Sequence, residues 1–574
     1  MLQSLSSAKA GSHRTKVIGL WFRNDLRIHD NEALFKAVEL AKSEQKKILC
    51  LYVFDQSLTT QKAPYTLSQL EESCGPRRCK FLVESVQNLF ANLQGKMMLS
   101  ILPFQTNVHL DDEKSRTHTY SYENVRHFTT ELVQRFNMTD LFMNREFCTF
   151  EKEVEKEIEN ACKDLKVKLN WTWSNCLVHG QDLPYEHLPQ DIPKTFSAFR
   201  KKIEKKIEEN KDVIRKVFGM EDGFRDFLLS SEEIETNLKD NSHLNLIHRD
   251  EFHNVDSFMK ARLFPQMSQQ QFLSEIKQDE RSVLKFEGGE DSALDRCKSY
   301  LDKHLKNYSS TRNDNLGDYS TKLSPWLALG CISARYIYHE IKKKTSKNDE
   351  KTSGSVLINE LLWRDYFKML AWKMGRSFFF KKALQPSKQL EYEWKIPKDG
   401  YKNVKFQAWC QGNTGYPFVD ACMKELLHTG FMNNRGRMVV ASFLVKDMKI
   451  DWRLGAEYFE RNLIDFDPAS NVGNWCWVAG VGCDFRPRYF NPIKQGMDHD
   501  KEGKYVKQWI PELSEVSQDS IHLPYLLLRE NEKRLLKLPN HYSSKDNLAC
   551  SVELPSALKR KFEKGENSAN KKRK

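Results

Sequence analysis

Ile464-Asp465-Phe466-Asp467-Pro468-Ala469-Ser470-Asn471-Val472-Gly473-Asn474-Trp475-Cys476-Trp477 sets two carboxylates, two amides and two indoles within fourteen residues. The carboxylates can accept hydrogen bonds from ribose hydroxyls or an adenine amine. An amide both donates and accepts, which suits the edge of a redox ring. An indole can give up an electron without being consumed. Asn471 and Trp475 are four apart, so on a helix they share a face. The set suits a light-driven flavin site, and a buried turn with capping aspartates and core tryptophans accounts for the same residues.

Outward from this segment, residues from about 290 to 520 read as helical and rich in aromatics. The first third reads differently. Val17–Phe22 and Ile48–Phe54 are apolar runs of strand length, with shorter strands near Met98–Leu102 and Leu141–Met143. Val167, Leu169, Trp171 and Trp173 alternate with polar residues as a fifth strand. Asp30-Asn31 can cap a helix running to about Ser43, and Arg78–Leu93 carries a helical apolar stripe. Strands interleaved with helices predict an α/β domain, a doubly wound parallel five-stranded sheet, ahead of an all-α domain. No G-x-G-x-x-G follows the first strand, which disfavours a dinucleotide dehydrogenase. The expected organisation is a disordered start at 1–14, the α/β domain at 15–185, a charged and partly helical connection at 186–270, the helical domain at 271–520, and a C-terminal extension at 521–574. Residues beyond about 540 are polar and expected to be disordered.

The 574 residues carry a formal charge of +12. Residues 559–574 hold eight Lys/Arg and two Glu, so half of that excess sits in this one segment. The thirteen cysteines are scattered and form no C-x-x-C pair, so neither zinc nor a disulfide framework is indicated. Reduced thiols fit the nucleus and/or cytoplasm. Met1–Arg14 lacks the apolar core of a secretory signal, and its acid-free, Ser/Lys/Arg-bearing composition is only a faint organellar cue. Lys559-Arg560 and Lys571–Lys574 have the spacing of a bipartite nuclear import signal, which would engage an import receptor. A solvated basic tail or a non-specific grip on nucleic acid accounts for the same charges.

Other segments carry chemistry. In Ser320-Thr321-Lys322-Leu323-Ser324-Pro325, Ser324 reads as a helix N-cap with Pro at the first helical position. The hydroxyls, Lys322 and the exposed N–H groups can bind phosphate, as an ordinary capped helix would also display them. Glu360, Trp363 and Arg364 share a helical face suited to a polar aromatic ligand, or to a surface ion pair beside a packed indole. Asn434, Arg437 and Met438 share another. Trp394, Trp452 and Trp475 fall on separate elements and can form a hopping chain for an electron, or simply fill core.

Together with Trp21-Phe22-Arg23-Asn24-Asp25-Leu26-Arg27, Asn413-Thr414-Gly415-Tyr416-Pro417-Phe418-Val419-Asp420-Ala421 and Phe490-Asn491-Pro492, these segments resemble the photolyase/cryptochrome family over roughly residues 15–515. Gly430-Phe431-Met432-Asn433-Asn434-Arg435-Gly436-Arg437 and Ala479-Gly480-Val481-Gly482 are most similar to its DASH-type cryptochromes. The resemblance implies an FAD folded into a U. Tyr308, Ser320, Thr321, Lys322, Leu323 and Ser324 would contact its phosphates. Arg364, Asn434, Arg437, Asp465 and Asp467 would contact its ring and ribose, with Asn471 facing flavin N5. Trp475, Trp452 and Trp394 would be the inner, middle and outer members of an electron chain. Glu360, Trp363, Asn434, Met438 and Trp477 would meet a cyclobutane pyrimidine dimer in DNA. Glu151 and Arg488 would hold a 5,10-methenyltetrahydrofolate antenna. The implied activity is that of a monomeric deoxyribodipyrimidine photo-lyase, with a blue-light photoreceptor as the alternative. Asn433-Asn434, where (6-4) repair enzymes carry histidines, disfavours (6-4) repair. Trp477 and Met438 depart from the DASH pattern toward double-strand photolyases, so single- and double-stranded substrates both stay open. Phe466 replaces the usual Tyr at the antenna.

Overall fold

The structure, a computed structural model, describes residues 15–56, 59, 73–103, 106–108, 119–238, 244–345, 353–384, 394–484, 488–556 and 558–560. The expected disorder of 1–14 and the Lys571–Lys574 half of the import pattern lie outside these residues.

The N-terminal sheet is parallel. Strands β1 (Val17–Phe22), β2 (Lys47–Asp55) and β3 (Met98–Leu102) are joined by β6 (Met138–Asn144) and β7 (Lys168–Thr172) in the order β3-β2-β1-β6-β7. β1 is buried along its whole length, and β2 along all but its two ends, which is why both read as unbroken apolar runs. The Glu32–Glu44 helix is capped by Asn31, whose side chain accepts from the Leu34 N–H. A short antiparallel hairpin, β4 (Thr106–Val108) and β5 (Thr119–Ser121), was not legible in the sequence. The strand order reverses direction between β1 and β6. A crevice outside the carboxyl ends of these strands is where open α/β sheets take ligands.

The connection at 186–270 is built into the body. Ile192, Phe196, Phe199, Ile203 and Phe224 belong to the same buried cluster as the helical domain. Its longest helix spans Phe196–Glu209, a second spans Ser231–Leu238, and Leu228 bridges Ile48 on the sheet.

Buried polar contacts fix the helical domain on the sheet domain. Asp365 accepts from the N–H groups of Leu177 (3.1 Å) and Val178 (3.0 Å). Arg27 donates to the Gly330 carbonyl at 2.7 Å, and Arg335 ion-pairs with Asp30 at 3.0 Å with both side chains fully buried. Such donors and acceptors, out of water, hold only while each keeps its partner. The described residues after 540 (541–556 and 558–560) pack against the body, contrary to the disorder expected from their composition, and 561–574 lie outside the described residues. Tyr542 is 1% exposed, and its hydroxyl donates to Asp420 at 2.9 Å.

Candidate functional site

A cavity of about 560 Å³ opens into the helical domain. Four segments wall it: the 308–328 stretch and the helices Ser353–Met374, Asn434–Ser442 and Pro468–Ala479. It gathers Tyr308, Ser320, Thr321, Lys322, Leu323 and Ser324 with Arg364, Asn434 and Arg437, and with Asp465, Asp467 and Asn471. Residues from 308 to 471 in sequence thus share one chamber.

The 317–324 loop is held from behind. Arg296 donates to the carbonyls of Thr321 (2.8 Å) and Ser320 (2.9 Å) and forks onto Asp318. Ser324 is not the N-cap that its position predicted. Leu323 holds that place, and the Ser324 hydroxyl donates to Asp465 Oδ2 at 2.6 Å. Lys322 lines the cavity, where it was expected. Its ammonium donates to the Gly317 carbonyl at 3.3 Å, and burial lowers its pKa against the pull of Asp318 and Glu425.

Asp465 Oδ2 also accepts from Arg437 Nη2 at 2.7 Å, while Oδ1 is buried without a hydrogen-bond partner. A bare carboxylate oxygen in a cavity wall is costly unless a ligand donates to it. Asp467 caps the Pro468–Ala479 helix, accepting from Ser470 N–H at 2.7 Å. Burial pushes its pKa up, but Lys368 and Arg364 outweigh burial and the carboxyl stays below the usual range. Asn471 donates through its amide nitrogen to the Ala456 carbonyl at 3.0 Å, which leaves its amide oxygen as the free acceptor. Arg364 spends its guanidinium on the carbonyls of Asn175 (2.6 Å) and Leu327 (2.8 Å) and presents its flank.

The remaining wall carries Glu360, Trp363, Met438, Trp477 and Arg488. Burial raises the Glu360 pKa, while Arg312 opposes this by donating to its carboxylate at 2.5 Å. Arg312 escaped the sequence reading. Its place four residues after Tyr308 was the available signal. Trp363 stacks on Phe196 with centroids 3.7 Å apart, a long-range contact without sequence signal. Asn434 donates to the Met438 sulfur at 3.7 Å.

Trp475 lies against the Trp452–Asn462 helix at Gly455, where a Cβ would stand 2.2 Å from its ring. Gly455 is three residues beyond Trp452, on the same face. The Trp452 indole N–H donates to the Lys381 carbonyl at 3.2 Å, and the Lys381 ammonium sits 4.9 Å over the Trp394 ring. Lys395 hydrogen-bonds Lys449 and Asp451 through its backbone, so Trp394 flanks the start of that helix. Trp394 is only 3% exposed, so the outer position is covered rather than open to solvent. Trp409, not among the expected members, lies 6.3 Å from Trp475.

Family models agree with this architecture. Residues 18–215 match the model described as DNA photolyase, and residues 357–551 match the FAD binding domain of DNA photolyase. A cryptochrome DASH of Synechocystis is 37% identical over 91% of this chain and 93% of its own length. The chain belongs to the photolyase/cryptochrome family. The cryptochrome DASH of Xenopus laevis is also 37% identical, over 89% of this chain and 86% of its own. The crystal structure of a Synechocystis cryptochrome superposes with a TM-score of 0.73 at 34% identity, covering 93% of this chain and 97% of that one. The chain therefore carries the photolyase FAD-binding domain, and the unpartnered Asp465 oxygen and the Asn471 amide fit that cofactor.

A second cavity, about 170 Å³, lies at the carboxyl ends of β1, β2 and β6, where the strand order reverses. Glu151 lines it, as do Glu146, Glu460 and Arg78, and Phe466 and Asp467 form a wall common to both cavities. Arg78 covers the Phe466 ring at 4.3 Å. Arg488 is not here, contrary to the expected pairing with Glu151. It lies 4.6 Å over Trp477 at the large cavity and ion-pairs with Asp484 at 2.7 Å. That ion pair and ring contact hold it on the far side.

Proposed function

We propose that this family member is a blue-light-driven, FAD-dependent lyase for cyclobutane pyrimidine dimers in DNA. The supporting observation is that Glu360, Trp363, Met438 and Trp477 stand in the same cavity as Asn471 and Asp465. A dimer buried in a duplex cannot reach such a chamber, so it is flipped out or presented single-stranded, at a few kcal/mol of unstacking. Trp363 and Trp477 offer apolar faces to the flipped bases. Glu360 offers a carboxyl that burial favours in its protonated, donating form, and Arg312 beside it offers charge to a phosphate. Asn471 and Asp465 orient the cofactor, whose chemistry when bound is light-driven electron donation to the dimer and recovery of that electron after the ring opens. Binding through phosphates gives little sequence preference, and the proposed substrate is single-stranded DNA, which the DASH-type family prefers, with double-stranded DNA as the alternative that Met438 and Trp477 bring in.

The alternative, a photoreceptor, would use the same tryptophans for photoreduction. The place of Glu360 beside Trp363, in the same chamber as Asn471, supports repair. We further propose that the smaller cavity holds the ring of an antenna such as 5,10-methenyltetrahydrofolate against Glu151 and Arg78.

The test is exposure of reduced, FAD-loaded protein and a thymine-dimer oligonucleotide to blue light. Loss of dimer under light and none in darkness is expected. Bound FAD without repair in either single- or double-stranded substrate would overturn the enzyme reading.

A further inference from the structure

Lys381 touches two of the three expected tryptophans, and in different ways. It stands just past the Gly375–Phe379 turn that ends the Ser353–Met374 helix. Its backbone carbonyl accepts from the Trp452 indole N–H at 3.2 Å. Its ammonium lies 4.9 Å over the Trp394 ring and donates to the Trp394 carbonyl at 3.5 Å. Both rings are shielded from water, Trp452 at 1% and Trp394 at 3% exposure. Among the described residues the ammonium pairs with no carboxylate.

The two contacts have opposite consequences for a positive charge on the ring. An indole that has lost an electron is a stronger N–H donor, so an acceptor on that N–H favours the charged ring. A cation over an indole face is held by the ring's electrons, and it opposes their removal. That opposition is strong where water is excluded. We propose that Lys381 grades the tryptophan chain, favouring a hole on Trp452 over one on Trp394 and so limiting how fast the protein accumulates photoreduced cofactor. The inference rests on the photochemical reading of Trp475, Trp452 and Trp394 and deepens it. In that reading Trp475 gives one electron to photoexcited FAD, Trp452 refills Trp475, and Trp394 refills Trp452. Each step moves one electron inward and one hole outward, with no bond made or broken, and an external reductant fills the last hole. With the ammonium in place the last step is disfavoured. The hole then dwells on Trp452, and charge recombines more often than the reductant intervenes. Lys381 does not line the large cavity, so it acts through the rings it contacts.

The test compares the parent with Lys381→Met, which keeps the aliphatic stem, Lys381→Gln, which removes the charge but stays polar, and Lys381→Arg, which keeps the charge. All are FAD-loaded and oxidised. Trp394→Phe reads whether the outer ring belongs to the chain. Transient absorption after a blue flash follows the tryptophan radical. Continuous light with dithiothreitol, a neutral thiol, follows FAD reduction. Both neutral variants should shift the hole toward Trp394 by about tenfold, seen as a longer-lived radical, and speed photoreduction by about two- to tenfold. Lys381→Arg should restore the parent lifetime to within about twofold. In the dark, the fluorine NMR line of fluorotryptophan at position 394, assigned by its loss in Trp394→Phe, should move in Lys381→Met, which checks the ring contact without light or turnover. Neutral variants that photoreduce at or below the parent rate, with an unchanged radical lifetime, would overturn the grading. If Trp394→Phe slows photoreduction while the neutral variants match the parent, the grading fails alone. If Trp394→Phe changes nothing, the outer assignment fails and the grading with it.

Discussion

Gly455→Ala tests whether the inner tryptophan rests on the Trp452–Asn462 helix. The added Cβ would stand 2.2 Å from Trp475 Cη2 and 2.6 Å from Leu444 Cδ2. That is more than about 1 Å inside ordinary contact, so the indole must move or tilt. Ala in place of a helical Gly gains about 1 kcal/mol of helix propensity. Overpacking a full core costs about 1–3 kcal/mol. The two terms oppose each other, so the net change is a loss of about 0–2 kcal/mol. Stability alone therefore moves little, while the geometry of electron transfer changes. The assay is photoreduction of bound oxidised FAD under blue light with external reductant, alongside urea unfolding. The expected result is a markedly slower photoreduction with FAD still bound and the urea midpoint unchanged or slightly lower. A variant that photoreduces at the parent rate and is more stable by the propensity gain would refute the placement of Trp475.

Asp465→Asn removes the charge that Ser324 and Arg437 share and replaces one of the two carboxylate oxygens by an NH2 donor, so either the shared acceptor or the unpartnered oxygen is lost. A lost hydrogen bond to a charged group costs about 1.5–3 kcal/mol, so FAD should bind roughly 10- to 100-fold more weakly in a fluorescence titration. Trp394→Phe should slow photoreduction yet leave dimer repair by chemically pre-reduced protein unchanged, which separates the electron chain from repair. Arg312→Ala removes the cation that opposes protonation of Glu360, so the Glu360 pKa should rise further and repair should persist to higher pH than in the parent, read as a shift of the pH–rate profile. Burial pushes the Glu146 carboxyl up to about 7 and the Glu460 carboxyl up to about 8. A raised folded-state pKa means these groups bind protons more tightly in the fold. Their stabilising effect is full below the ordinary carboxyl range and is lost as pH rises through 7 and 8, so urea midpoints should be lower at about pH 8.5 than at about pH 6.

The sheet was legible because its central strands are buried on both faces and read as apolar runs. The helical domain was legible from its spacing, and helices at 353–374, 434–442 and 468–479 each put polar and aromatic residues on one face, but the cofactor and lesion roles of the cavity residues came from the family resemblance. What stayed hidden depended on distant pairing. Phe196 covers Trp363 from the connecting segment, and nothing local announces it. Ser324 looked like a cap because sequence cannot show that Asp465 takes its hydroxyl. Arg488 looked like an antenna contact because its commitment to Asp484 and Trp477 is a matter of tertiary packing. The described residues after 540 looked disordered because their anchors, Tyr542 and Leu558, are few and far apart among polar residues.

The most direct measurement is the ratio of FAD to polypeptide in purified protein, read from the absorbance of flavin released on denaturation. A ratio near one FAD per chain, restored after removal and reconstitution, is the predicted result. Colourless protein that takes up no FAD on reconstitution would contradict the assignment of the large cavity.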